Sequence, residues 1–170
     1  MLSLHAKSHC VCPSAGFYFS TEDDYQSQSA DAEQHHSIEE FIIQFIDGSD
    51  FACNLASAIN LHQGNLASYF ELLDDLDDAD ESQQAAFLYV LNDLGYDTSE
   101  ALEKYEDVML SEEEPDAIAQ EYAEDCMELT GFALQYFDAA SYVRDCFASG
   151  DWSTIHNNGT RYTVTNANGL

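Results

Sequence analysis

Residues 97–131, DTSEALEKYEDVMLSEEEPDAIAQEYAEDCMELTG, carry thirteen carboxylates and one base, Lys104. Any fold of this chain must keep that charge in water while burying enough apolar surface to hold together. Apolar residues recur through the stretch at helical spacing: Leu102, Tyr105 and Met109, then Ile118, Tyr122 and Cys126. Ser111 stands three residues before Glu114 as in a capping box, Pro115 suits a first turn, and Gly131 can close a helix. The spacing predicts two amphipathic helices that bury one stripe each and display carboxylates elsewhere. A disordered acidic tail lacks such stripes.

The rest of the chain shares the bias. Its 170 residues include 33 acidic and 4 basic side chains, for a net charge of −29. The size scaling of folded proteins gives roughly 8,000 Å² of surface, or on the order of one uncompensated negative charge per 300 Å². Such a field opposes compaction, so a role other than stability is expected to maintain it. Ten Phe, ten Tyr and one Trp supply a core. Nucleic acid and anionic membranes are excluded as partners by sign. No apolar run approaches the eighteen or so residues of a membrane span. The start, MLSLHAKSHCVC, has no apolar h-region, so a cytoplasmic protein is expected, and five cysteines at undistinguished spacing suggest reduced thiols.

The reading along the chain is mostly α: an elongated helical array with a short C-terminal β-hairpin and a reduced N-terminal segment in which Phe17-Tyr18-Phe19 is a candidate strand. Residues 20–36 read as a polar linker, giving three parts: 1–36, a helical domain at 37–96, and an acidic helical domain with the hairpin at 97–170. Helices are expected from Ser37, with Ile38, Phe41, Ile42 and Phe45 inward; from Asp50 to Gly64; over 66–78; from Ser82 to Gly95; and from Asp138 to Gly150. Asn158-Gly159 between two β-branched runs is a strong hairpin signal.

Catalytic and metal motifs are missing. There is no G-x-S-x-G, H-E-x-x-H, G-x-G-x-x-G or P-loop. Choosing an acid–base pair from 33 carboxylates carries no information. The sequence therefore predicts neither an enzyme nor a cofactor. His5, His9, Cys10 and Cys12 crowd together, but C-x-C is poor zinc spacing. The run DDLDDADES at 74–82 lacks the Gly and Glu of a calcium loop. No metal is expected. Adaptation to high salt would load the whole chain evenly, yet residues 71–131 hold twenty-one acids and 132–170 only three. Crowded carboxylates are also expected to titrate high, so that stability falls as pH rises.

The acid is best read as an imitation of a phosphate backbone. Duplex DNA carries one charge per about 1.7 Å, so 29 charges correspond to roughly 50 Å, about 15 base pairs. Carboxylates three and four apart on a helix lie about 5–6 Å from one another. The candidate phosphate mimics are Glu71, Asp74, Asp75, Asp77, Asp78, Asp80, Glu81, Glu103, Glu106, Asp107, Glu112, Glu113, Glu114, Asp116, Glu121, Glu124 and Asp125. The nearly neutral, aromatic end is suited to self-association, through Phe132, Leu134, Tyr136, Phe137, Tyr142 and Phe147.

NDLGYDTSEALEKYEDV at 92–108, EYAEDCMELTG at 121–131 and YFDAASYVRDC at 136–146, followed by the 152–165 hairpin, resemble the ArdA antirestriction family in order and charge profile. Tyr136-Phe137-Asp138 and Arg144-Asp145 carry the last of these motifs. The connection after Gly131, Phe-Ala-Leu-Gln, is shorter than in that family. The resemblance implies a phage or mobile-element DNA mimic, homodimeric and without cofactor. It implies a protein that occupies the DNA groove of a type I restriction-modification methyltransferase core in the host cytoplasm. The same mimicry could serve against another DNA-binding defence complex such as a CRISPR effector, or the acid could engage a basic nucleoid protein.

Overall fold

The computed structural model describes residues 1–8 and 16–170. It divides into two compact units, residues 1–79 and 80–170, each with its own three-stranded antiparallel sheet. The mostly helical array expected from the sequence is therefore wrong. The chain is mixed α/β.

In the first unit, β1 (Ser3–Ser8) lies between β2 (Gly16–Phe19) and a later strand, β3 (Phe41–Asp47), with α1 (Glu22–His36) between β2 and β3 in sequence. Leu4 pairs with Phe19 and Phe45, and Ala6 with Phe17 and Ile43. Strands alternate their side chains across the sheet, and Leu4, Ala6, Phe19, Phe41 and Ile43 face inward. The predicted helix from Ser37 is thus a strand. FIIQFID satisfies a two-residue period, leaving Ile42 and Ile46 in water on the other face.

The predicted linker at 20–36 is likewise a helix. Thr21 Oγ1 accepts the Asp24 amide, Glu22, Asp23 and Asp24 sit at the positive end of the helix dipole, and Gln26 and Gln28 donate back to Glu22 and Asp24. Tyr25 anchors it in a cluster with Phe17, Phe19 and Phe41, ring centroids 5.0–6.3 Å apart. Helix α2 (Asp50–Ala58) starts on Ser49 and buries Phe51, Ala52, Leu55 and Ala56. Helix α3 (Leu66–Asp75) buries Leu66, Tyr69 and Leu72, and Tyr69 donates to the Ala52 carbonyl at 3.0 Å.

The second unit opens with α4 (Glu81–Asn92), capped by Asp80 in a capping box with Gln83; residues 85–90 are all buried. Helix α5 (Thr98–Lys104) starts on Asp97, and a single 3-10 turn, Tyr105–Asp107, leads to the two-residue strand β4 (Leu110–Ser111). Helix α6 (Pro115–Asp125) has proline at its first position as expected, but its buried residues are Ala119 and Ala123. Tyr122 and Cys126, which the spacing placed inward, are exposed. The α6 helix stops at Asp125, so Gly131 instead precedes the short α7 (Phe132–Gln135).

The last elements match the sequence reading. Asp138 caps α8 (Ala139–Ser149), which ends at Gly150 with φ +83°. β5 (Ser153–Asn157) and β6 (Thr160–Val164) form the hairpin, with Asn158 at φ +50° and Gly159 at φ +76°, the left-handed pair of a type I′ turn. The hairpin also gains β4 as a third strand, with Leu110 opposite Val164. Asn166 stitches this edge: it accepts the Met109 amide at 2.9 Å and donates to the Asp107 carbonyl at 2.8 Å.

Candidate partner-binding surface and an aromatic cavity

All seventeen candidate phosphate mimics are exposed. Five belong to the first unit: Glu71, Asp74 and Asp75 on α3, with Asp77 and Asp78 just beyond it. Twelve belong to the second. Asp80 and Glu81 begin α4, Glu103 lies on α5, and Glu106 and Asp107 lie in the turn after it. Glu112, Glu113 and Glu114 occupy the connection before α6, and Asp116, Glu121, Glu124 and Asp125 lie on that helix.

The regular rows expected of long acidic helices are confined to two places. Glu71, Asp74 and Asp75 on α3 stand at i, i+3 and i+4, and Glu121, Glu124 and Asp125 repeat that spacing on α6. Each triad spaces its charges about 5–6 Å apart on a rigid support. Glu112–Glu114 follow one another in extended or irregular backbone and make no such row.

Little in the protein neutralises these groups. Among the described residues the ion pairs are His35 with Asp31 at 3.1 Å and Arg144 with Asp145 at 3.7 Å, and neither involves the seventeen. Lys104 Nζ lies 4.8 Å from the centre of the Tyr96 ring.

A few acids are structural. Hydrogen bonds from the Gln83 amide and the Ser82 hydroxyl hold the Asp80 carboxyl below its ordinary pKa. The Ser141 hydroxyl and amide do the same for Asp138, and Ser149 and Asn168 for Asp151. Burial pushes Asp93 up. These shifts arise from hydrogen bonding and desolvation, not from the crowding anticipated in the sequence. Asp80 thus has a second task, starting α4.

The residues expected to form a dimer divide into two groups. Phe137, Tyr142 and Phe147 pack on a small core of Ala119, Cys146 and Trp152. Phe132 and Tyr136 are 73% and 74% exposed, with ring centroids 4.5 Å apart, and Leu134 is half-buried.

No sequence motif marks a cavity of about 600 Å³ in the second unit, lined by Met109, Ile118, Tyr122, Cys126, Tyr142, Cys146, Asp151, Trp152, Thr165, Asn166, Asn168 and Gly169. Its aromatic rings contact one another, Tyr122 on Tyr142 at 5.9 Å and 20°, and Tyr142 on Trp152 at 6.1 Å and 83°. Burial, then neighbouring Cys146, Tyr122 and Asp151, push the Tyr142 hydroxyl up to about 12.

His5, from the suspected metal cluster, lies against Tyr18 with ring centroids 4.7 Å apart and planes tilted by 37°; His9, Cys10 and Cys12 lie outside the described residues. Among the described residues no three His, Cys, Asp or Glu side chains are grouped to hold a metal. No described helix is long and apolar enough to cross a membrane. Comparison with protein-family models, curated proteins and solved structures finds no match.

Proposed function

We propose that this chain is a DNA mimic: a non-catalytic inhibitor that enters the DNA-binding groove of a host defence complex. In keeping with the ArdA-like motifs, the target is a type I restriction-modification methyltransferase core in the host cytoplasm. The observation that carries the reading is the set of seventeen exposed carboxylates, none in an ion pair among the described residues, with two i, i+3, i+4 triads on separate helices. A surface kept for stability would pair or dilute these charges, since, the Asp80 cap apart, crowding them adds self-repulsion. Facing a basic groove, they gain attraction and counterion release as phosphates do. The proposed assembly is a homodimer joined through the exposed Phe132 and Tyr136, where the charge is lowest.

The test is competition against labelled duplex DNA for a purified type I methyltransferase. The expected result is stoichiometric displacement that weakens steeply with salt. Exposed charge contacts contribute about 0.2–1 kcal/mol each, so single neutralisations of Glu121, Glu124 or Asp125 should cost about 1.4- to five-fold, and the triple change about threefold or more. A single substitution that abolishes inhibition in a folded protein would overturn the reading, as would inhibition far below equivalence.

A further inference from the structure

We propose that the cavity of the second unit is a receptor for one guanidinium group, an arginine side chain supplied by the protein partner. Tyr122 and Tyr142 line it with their rings stacked on one another, and the Trp152 indole stands nearly perpendicular to the Tyr142 ring. Aromatic faces at two orientations attract a cation from more than one side. Asp151 supplies the counter-charge. Its Oδ2 accepts from Ser149 Oγ at 2.7 Å and its Oδ1 from Asn168 Nδ2 at 2.8 Å, which fixes the carboxylate and leaves acceptor capacity on both oxygens.

Three further observations favour a cation. The unit holds nineteen acids against Lys104, Arg144 and Arg161, so a neutral apolar guest would forgo the strongest attraction available. Its own cations with a defined contact are engaged elsewhere, Lys104 on Tyr96 and Arg144 beside Asp145. Met109 and Tyr122, both in the cavity lining, are 64% and 42% exposed, so apolar and aromatic surface there stays open to solvent. Arginine fits better than lysine because the guanidinium is planar, weakly hydrated and stacks on rings. A cavity of about 600 Å³ leaves room for the whole arginine side chain as well as its guanidinium. The identity of the partner as a DNA-binding protein rests on the function proposed above; the chemistry of the cavity does not.

Trp152 is the single tryptophan of the chain and lies in the cavity wall, so its emission reports on occupancy. The full chain is titrated with N-acetylarginine methylamide at constant chloride, and in parallel with the uncharged N-acetylcitrulline methylamide. The expected result is a saturable one-to-one change with the arginine probe, about tenfold weaker or more with citrulline. Asp151→Asn and Tyr122→Leu should each weaken it about tenfold in proteins whose melting confirms the fold, while Asp145→Asn, the same charge change on exposed α8, leaves it within about twofold. Absence of saturation, equal binding of citrulline, or equal loss in Asp145→Asn would overturn the receptor. If the probe fails and duplex competition succeeds, the mimicry stands without the receptor. If the probe binds and competition fails, the receptor stands and the mimicry falls.

Discussion

The two units start their helices with different chemistry. In the first, α1 and α2 begin on hydroxyls, Thr21 and Ser49. In the second, α4, α5 and α8 begin on carboxylates, Asp80, Asp97 and Asp138. Their interiors differ as well. The first buries large side chains, Leu4, Phe19, Phe41, Leu55 and Tyr69 among them. On α6 the second buries Ala119 and Ala123 and leaves Tyr122 outside. The first unit therefore places its aromatics, Tyr18 apart, in or against its core and its acids on the surface. The second uses some acids as structure and holds some aromatics at the surface, which is where a partner would meet them.

The largest effect expected from this difference concerns packing. Leu55→Ala in the first unit removes a fully buried side chain and should cost about 2–5 kcal/mol. At the α6 contact of the second unit the sensitive direction reverses. Ala119→Leu forces extra volume where α6 meets α8 and should cost about 1–3 kcal/mol, whereas Tyr122→Ala, half in water, should cost less than about 1 kcal/mol. Urea melts of the three variants check the order. A Tyr122→Ala cost equal to that of Leu55→Ala would erase the contrast.

These distinctions were unevenly legible beforehand. The α8 helix and the hairpin could be read because their signals are local: Asp138 and Gly150 at the ends of one, Asn158-Gly159 at the tip of the other. β3 is ambiguous in sequence because Phe41, Ile42 and Phe45 fit a helical stripe as well as a strand, and only pairing with β1 decides between them. α1 lacks a hydrophobic stripe, so its cap and its i, i+4 side-chain bonds were the signs available. β4 is two residues long, and its partner lies more than fifty residues away at Val164. The exposure of the carboxylates followed from charge. The cavity did not, because it gathers residues from α6, α8, Trp152 and the C-terminal turn, and because the smaller alanines, not the tyrosine, were taken into the α6 contact.

A smaller effect on stability, though a large one on assembly, is expected at α7. Phe132→Asp with Tyr136→Asp alters side chains 73% and 74% exposed, so the melting free energy should move by no more than about 0.5 kcal/mol. Phe147 is unsuitable for this test, since it packs edge-on against Trp152 at 6.1 Å. Sedimentation equilibrium at moderate salt should give twice the chain mass of 19.0 kDa for the wild type and the single-chain mass for the double variant. A wild-type mass of 19.0 kDa at micromolar concentration rules out the dimer.

The smallest effect separates the two kinds of cap. Asp80 and Asp138 are held below their ordinary pKa by the hydrogen bonds they accept, so the folded state binds fewer protons at these sites than the unfolded chain does. Their stabilisation is therefore fully present above the unfolded value near 3.9 and is lost as pH falls through the lower folded value. Asp93 acts with the opposite sign: burial raises it, so its contribution is present at low pH and is lost as pH rises through its folded value. Thr21 and Ser49 do not titrate, so the carboxylate caps of these α-helices belong to the second unit. Asparagine accepts the same amide hydrogen bond without a titrating proton, so Asp80→Asn with Asp138→Asn should keep α4 and α8 capped. Thermal melts followed by Trp152 emission, which reports on the second unit, should show the wild type losing more midpoint between pH 5 and pH 3 than this variant. Asp80→Ala, which removes a cap altogether, should instead cost about 1 kcal/mol at neutral pH. Parallel melting curves for the wild type and the double asparagine variant would mean that the capping carboxylates add nothing as charges. The contrast between the units would then be one of packing alone.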